Sequence, residues 1–219
     1  MTYKCAKCGK QRWDSDPAVL NFMRHGRTKH NELSICTGSL DEPLSEAGMK
    51  QSSVTAHDLR GNGYVITAIV SSPMKRACQT AEFFSAVFGH DILTDNRLRE
   101  RCVGVLEGQP ETLEIDKQLL RSDYLPEGAT PLGVFERETN IFLDDCAKGD
   151  YISGTLFVTH SLRILTIVKL IKGLRVEEIQ RSQIPDNCEL VTFGVTHAPC
   201  SHCRSSCLIM EDWVSKDRL

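Results

Sequence analysis

The sequence predicts an α/β fold of three layers, a mostly parallel central sheet with helices on both faces. Three observations carry this. After the first 16 residues, apolar runs of strand length alternate with segments of helical periodicity. The chain has 219 residues, 41% of them hydrophobic, enough to bury one sizeable core. Polar or charged residues follow directly on strands at four places, as they do where loops gather beyond the carboxyl ends of parallel strands.

Taken in order, "AVLNF" is an apolar run of strand length, and "LSEAGMKQSSVTAHDLRGNG" reads as a helix opening near Ser45 and stopping at Gly61 and Gly63. "YVITAIVSS" is rich in β-branched residues and predicts a strand. Pro73 then suits the first turn of the amphipathic segment "MKRACQTAEFFSAVFG". "DILTDNRL" predicts a shorter strand, and Glu111–Arg121 and Thr130–Ala147 predict helices. "GTLFVTH" is a strand, "SLRILTIVKLIKG" a helix, and "NCELVTFGV" a last long strand whose continuation at "CLIMEDW" predicts a hairpin. The expected division is a domain over 17–195 flanked by cysteine-bearing ends, 1–16 and 196–219.

Composition excludes several classes. Twenty-six basic against 29 acidic residues give a net charge of −3, so nothing global attracts nucleic acid or an anionic membrane. Lys169 interrupts the longest apolar stretch, and "MTYKCAKCGK" is too polar for a signal peptide. The expectation is a soluble, cytoplasmic protein with a small-molecule substrate and no nucleic-acid or membrane partner. Of ten cysteines, Cys36, Cys78, Cys102, Cys146 and Cys188 are dispersed and expected to pack as small hydrophobes. "CAKCGK" and "PCSHCRSSC" each hold C-x-x-C, the spacing by which one tight turn offers two thiolates to a tetrahedral Zn²⁺. Two such pairs make a closed shell, so a structural zinc on Cys5, Cys8, Cys200 and Cys203 is expected, with Cys207, His197 or His202 as substitutes.

The four strand ends supply Arg24–His25–Gly26, "SSPMKRACQTAE", "LRERCVG" and Thr159–His160–Ser161. A neutral imidazole is a good nucleophile, and a phosphoryl group is an electrophile whose oxygens need cations and N–H donors. Arginine meets those oxygens in a bidentate way, glycine lets the backbone come close, and a carboxylic acid supplies the leaving group's proton. Arg24, His25, Arg76, Glu100 and His160 fit these roles, with Glu107 the next candidate for the acid.

"RHGRT" with Asn31, "TGSLDEPLSEAGMKQ", "SSPMKRACQTAE", "LRERCVGVLEG" and "LFVTHS", ordered over residues 18–173, resemble the segments of the histidine phosphatase, or phosphoglycerate mutase-like, superfamily. The resemblance implies that His25 is phosphorylated and then hydrolysed, that Arg24, Arg76 and His160 hold the phosphoryl oxygens, and that Glu100 protonates the leaving oxygen. It implies substrate contacts from Asn31, Thr37, Gly26 and Ser161, and no cofactor for catalysis. Arginines beside His25 are expected to keep it neutral. Ser161 stands where the family has glycine, and Ala129 in "PEGAT" lacks a carboxylate the family often carries. Family mutases carry L-N-E-R-H-Y-G and a long insertion; this chain has "LRERCVGVLEG" and a short connection, which favours hydrolysis over mutase-type transfer. "GVLEG" is also similar to fructose-2,6-bisphosphatase-like members. A non-catalytic binding protein on the same fold is the remaining alternative.

Overall fold

A computed structural model of the protein describes residues 3–4, 11–12, 18–196 and 207–209. The elements in chain order are β1 (Tyr3–Lys4), β2 (Gln11–Arg12), β3 (Ala18–Arg24), α1 (Lys29–Glu32), α2 (Glu46–Gly61), β4 (Ala68–Ser71), α3 (Lys75–Phe88) and β5 (Ile92–Thr94). They continue with α4 (Leu113–Leu119), α5 (Leu132–Lys148), β6 (Thr155–Thr159), α6 (Ser161–Lys172), β7 (Leu190–Thr196) and β8 (Cys207–Ile209). Among the described residues β1 pairs with β2, and the other strands form one sheet in the order β5-β4-β6-β3-β7-β8. β5, β4, β6 and β3 run parallel, β7 runs against β3, and β8 against β7.

Alternation along the strands makes the three layers. Leu20 and Phe22 of β3 and Phe157 of β6 pack against Phe142 and Cys146 of α5 and Ile164 and Val168 of α6. Met23, Leu156 and Val158, one residue out of phase, pack against Ala56 and Leu59 of α2 and Ala77 and Phe84 of α3. Ser45 caps α2 by accepting from the Gly48 amide, as its position before the helix requires. Cys36, Cys146 and Cys188 are buried, Cys78 and Cys102 partly so, and all five are free thiols.

Some elements differ from expectation. α3 begins at Lys75 with Met74 at its N-cap, so Pro73 precedes the helix instead of lying in its first turn. The strand after α2 starts only at Ala68. β5 stops at Thr94 because Asp95 caps a 3₁₀ turn through the Arg97 amide and holds the Arg97 side chain. α4 is trimmed to Leu113–Leu119 by the Thr112 cap. The expected hairpin between the last two strands is present, with Val195 opposite Leu208. Cys5, Cys8, Cys200 and Cys203, and with them His197 and His202, lie outside the described residues. Among the described residues no helix is long and apolar enough to cross a membrane.

Registry brings the polar strand ends together. Arg24 is level with Thr159, Ser71 with Val158, and Met23 with Leu190. His25, His160 and Ser72 therefore leave three adjacent parallel strands at one height, and the chain before β7 arrives at the same edge.

Candidate active site

His25 is 4% exposed and its backbone is pinned on both sides. Its amide donates to the Thr159 carbonyl at 3.0 Å, and its carbonyl accepts from Asn187 Nδ2 at 2.9 Å. The ring is oriented as firmly. Nδ1 lies 2.7 Å from the Gly26 carbonyl, which only accepts, so Nδ1 carries the proton and Nε2 the lone pair. Arg76 Nε donates to that Nε2 at 3.1 Å. Burial first, then the positive charges of Arg76 and Arg24, hold the His25 pKa well below the ordinary imidazole value. The ring is thus a neutral base with its free nitrogen facing an arginine.

Arg76, 1% exposed in the first turn of α3, also donates to the Leu40 carbonyl at 2.7 Å and the Gly38 carbonyl at 2.9 Å. Burial lowers its pKa to about 10, which leaves it cationic at neutral pH. Arg24 Nη1 donates to the Pro185 carbonyl at 2.9 Å, while its buried Nε has no partner among the described residues. The His160 ring stands 5.2 Å from that of His25, centroid to centroid. Its Nε2 is 2.8 Å from Ser72 Oγ, and its buried Nδ1 has no partner among the described residues. His160 occupies the N-cap position of α6 by its backbone, but its side chain caps nothing. Burial and then Arg76 lower its pKa well below the ordinary value.

Glu100 points its carboxyl at two amides, Arg101 N to Oε1 at 2.9 Å and Leu162 N to Oε2 at 3.0 Å. Burial of the carboxyl raises its pKa against these hydrogen bonds and the charges of Arg76 and Arg163. Glu107 does other work: its Oε1 accepts from the Ser39 amide and hydroxyl, each at 2.8 Å, and so holds the loop whose carbonyls grip Arg76.

Two adjoining cavities open here. The inner one, about 30 Å³, is lined by Arg24, His25, Arg76, Glu100, Thr37 and Ser161 among others. The outer one, about 410 Å³, shares Arg24, Asn31, Glu111 and Asp116 with it and adds Arg27, Glu32, Asp186 and Asn187. Asn31 closes a capping box with Thr28 and also borders both cavities. Thr37 Oγ1 is a third buried polar atom at the site without a partner among the described residues. Gly26 requires a correction, since it lines neither cavity. A Cβ there would lie 2.4 Å from Ser52 Oγ and 2.9 Å from the Gly48 carbonyl, so its smallness serves the packing of α2. Its amide is taken by Thr80 Oγ1 at 2.9 Å.

A family description, "Histidine phosphatase superfamily (branch 1)", matches residues 20–203. The chain belongs to the histidine phosphatase superfamily. Within it, the chain is 32% identical over 189 residues to a probable phosphoglycerate mutase, GpmB, of Yersinia pestis, covering 81% of this chain and 85% of the relative. The fold resembles a mycobacterial glucosyl-3-phosphoglycerate phosphatase complexed with VO3 (TM-score 0.73, 21% identity, 91% of this chain and 100% of that one). It also resembles a phosphoserine phosphatase of Entamoeba histolytica in complex with 3-phosphoglyceric acid (TM-score 0.70, 20% identity, 92% and 99%).

Sequence reasoning missed Asn187 and Ser72. Asn187 is buried and donates to both the His25 carbonyl and Asn31 Oδ1. Its signal was the "IPDNC" turn before the last strand. An antiparallel strand offers its beginning, not its end, to the edge where parallel strands end. Ser72 lay inside the "SSP" stretch with nothing in the sequence to mark it as the partner of His160.

Proposed function

We propose that the protein is a phosphomonoesterase acting on small phosphorylated metabolites through a phosphohistidine at His25 Nε2. The observation that carries this is the set of buried polar atoms without a partner among the described residues, Arg24 Nε, His160 Nδ1 and Thr37 Oγ1, around a neutral imidazole whose Nε2 already meets a guanidinium. Buried polar groups are nearly always paired, and a tetrahedral oxyanion supplies acceptors to such donors. If the Ser72 hydroxyl donates to His160 Nε2, Nδ1 carries a proton available to a phosphoryl oxygen.

In this reading Nε2 forms a bond to phosphorus as the ester P–O bond breaks, and Glu100 gives its proton to the leaving oxygen. Water then attacks phosphorus, Glu100 takes the water's proton, and the P–N electron pair returns to Nε2. Arg24 and Arg76 hold the equatorial oxygens throughout. The leaving group occupies the outer cavity, whose lining carries Glu32, Glu111, Asp116 and Asp186 beside Arg24 and Arg27, Glu32 being paired with Lys29 at 2.8 Å. We read this acidic lining as favouring hydroxylated or amine-bearing leaving groups over a second anionic group. The likeness to a probable phosphoglycerate mutase favours a second reading, return of the phosphoryl group to a glycerate. The two readings separate on product: inorganic phosphate for one, isomeric phosphoglycerate for the other. Brief incubation with labelled substrate should leave an acid-labile, alkali-stable label on His25. His25→Ala should lose the label and reduce turnover by roughly four orders of magnitude or more; a variant that kept near-normal hydrolysis would overturn the mechanism.

We also propose the structural zinc on Cys5, Cys8, Cys200 and Cys203. What supports it is that each C-x-x-C lies in sequence between strands that pair antiparallel, β1 with β2 and β7 with β8. A ladder as short as β1–β2 does not stand alone in water. Elemental analysis should find about one zinc per chain, lost in Cys5→Ser or Cys203→Ser; a metal-free protein with unchanged melting would remove the proposal.

A further inference from the structure

Among the described residues, Arg76, Arg101 and Arg163 are the three largest fully buried side chains. Arg76 belongs to the inner cavity; Arg163, on α6, lines neither cavity. Its burial is costly, because a guanidinium must be stripped of water and then saturated with acceptors, and an apolar side chain could fill the same space without that cost. The structure spends acceptors on it freely. Nε and Nη2 both donate to the Arg99 carbonyl, at 3.1 and 2.9 Å. Nη1 donates to Thr139 Oγ1 at 2.6 Å and to the Phe135 carbonyl at 3.2 Å. The guanidinium lies 3.6 Å above the Phe135 ring, and Glu138, half exposed, stands 3.6 Å from Nη2.

What these bonds hold is the residue before Glu100. The Leu162 amide that binds Glu100 Oε2 belongs to the residue before Arg163. The links close on themselves: the Arg163 guanidinium grips the Arg99 carbonyl, the chain passes to Glu100, its carboxylate accepts from Leu162, and the chain passes back to Arg163. We propose that Arg163 is a positioning residue for Glu100, locking the turn that carries the acid onto the first turn of α6 that supplies its amide partner. This rests on the reading of Glu100 as the general acid.

The same side chain sets the charge around Glu100. Arg76 from α3 and Arg163 from α6 favour the carboxylate, against the burial that raises its pKa. Arg24, His25, Cys36, Glu111 and Asp116 share its cavity. Glu138 on α5 and Asp95 beside β5 act in turn on Arg163. Loss of the Arg163 charge raises the Glu100 pKa. The alkaline limb of the rate profile, where the acid loses its proton, then moves to higher pH. Loss of the Glu138 charge leaves Arg163 less compensated and moves the limb the other way.

The experiment is the pH dependence of kcat on an alkyl phosphate and on p-nitrophenyl phosphate, for wild type, Arg163→Met, Arg163→Lys, Glu138→Gln and Glu100→Gln. Arg163→Met should raise the alkaline limb by about half a pH unit or more and lower alkyl phosphate turnover at least tenfold relative to p-nitrophenyl phosphate. Arg163→Lys should keep the limb but lose turnover, since an ammonium cannot grip one carbonyl with a planar fork. Glu138→Gln, at a half-exposed position, should lower the limb. An unmoved limb in Glu138→Gln overturns the proposal even if Arg163→Met does not fold, and so does an equal loss on both substrates in Arg163→Met. If Glu100→Gln retains alkyl phosphate turnover and its limb, the reading of Glu100 itself has failed and takes this inference with it.

Discussion

The inner and outer cavities share four residues, Arg24, Asn31, Glu111 and Asp116, and differ in what surrounds them. The inner one adds Arg76, the buried imidazole of His25 with the His160 ring 5.2 Å from it, and Glu100, whose pKa burial raises. The outer one gathers Glu32, Glu111, Asp116 and Asp186 against Arg24 and Arg27. They differ in construction as well. The inner groups sit at strand ends, each held by backbone hydrogen bonds, whereas the outer residues come from α1, α4 and the stretch before β7, with Arg27, Glu32 and Asp186 exposed. In the function proposed above, the sheet edge carries the chemistry done on an anion and the connections carry the selection of what is attached to it.

The largest effect is expected at Glu100, the carboxyl that lines the inner cavity and not the outer one. Glu100→Gln keeps acceptor and shape but cannot give a proton. Hydrolysis of alkyl phosphates should fall ~10²–10⁴-fold, while p-nitrophenyl phosphate, whose leaving group hardly needs protonation, should lose far less. The wild-type rate on alkyl phosphates should decline as pH rises through the Glu100 pKa, which burial displaces upward, and the variant should lose that limb. Equal losses on both substrates would move the acid role elsewhere in the site.

What the sequence made legible follows the same line. Arg24 ends β3, His25 follows it, Ser161 stands just beyond β6, Glu100 lies in the connection after β5, and Arg76 is in the first turn of α3, so reading strand ends pointed to residues that line the inner cavity. Gly26 was read through the same logic as a gap for an anion, yet its missing side chain makes room for Ser52 and Gly48 of α2, a tertiary contact no local pattern announces. Asn187 escaped because β7 is antiparallel and brings its beginning to the site. Arg163 sits inside "SLRILTIVKLI", where it and Lys169 both read as the solvent side of a helix; the burial of Arg163 among the carbonyls of Arg99 and Phe135 appears only when α5 and α6 pack together. Even the neutrality of His25 was only half readable, since neighbouring arginines lower its pKa but burial lowers it more.

A smaller effect is expected from the outer side. Glu111 borders both cavities, is partly buried, and is tied down by its amide on the Ser34 carbonyl at 2.7 Å, which leaves its carboxylate charge as the property to vary. Glu111→Gln preserves size and hydrogen-bonding capacity and removes one negative charge beside the position of the ester's substituent. A leaving group with a carboxylate or second phosphate should then bind better and one with an ammonium worse. The ratio of kcat/KM between such a pair should shift by roughly tenfold, the equivalent of about 1.4 kcal/mol. The ratio is the quantity to measure, because a loss of folded protein or a general slackening of the site lowers both substrates together and cancels from it. An unchanged ratio would mean that the outer carboxylates do not meet the leaving group, and the division of labour between the two cavities would fall with it.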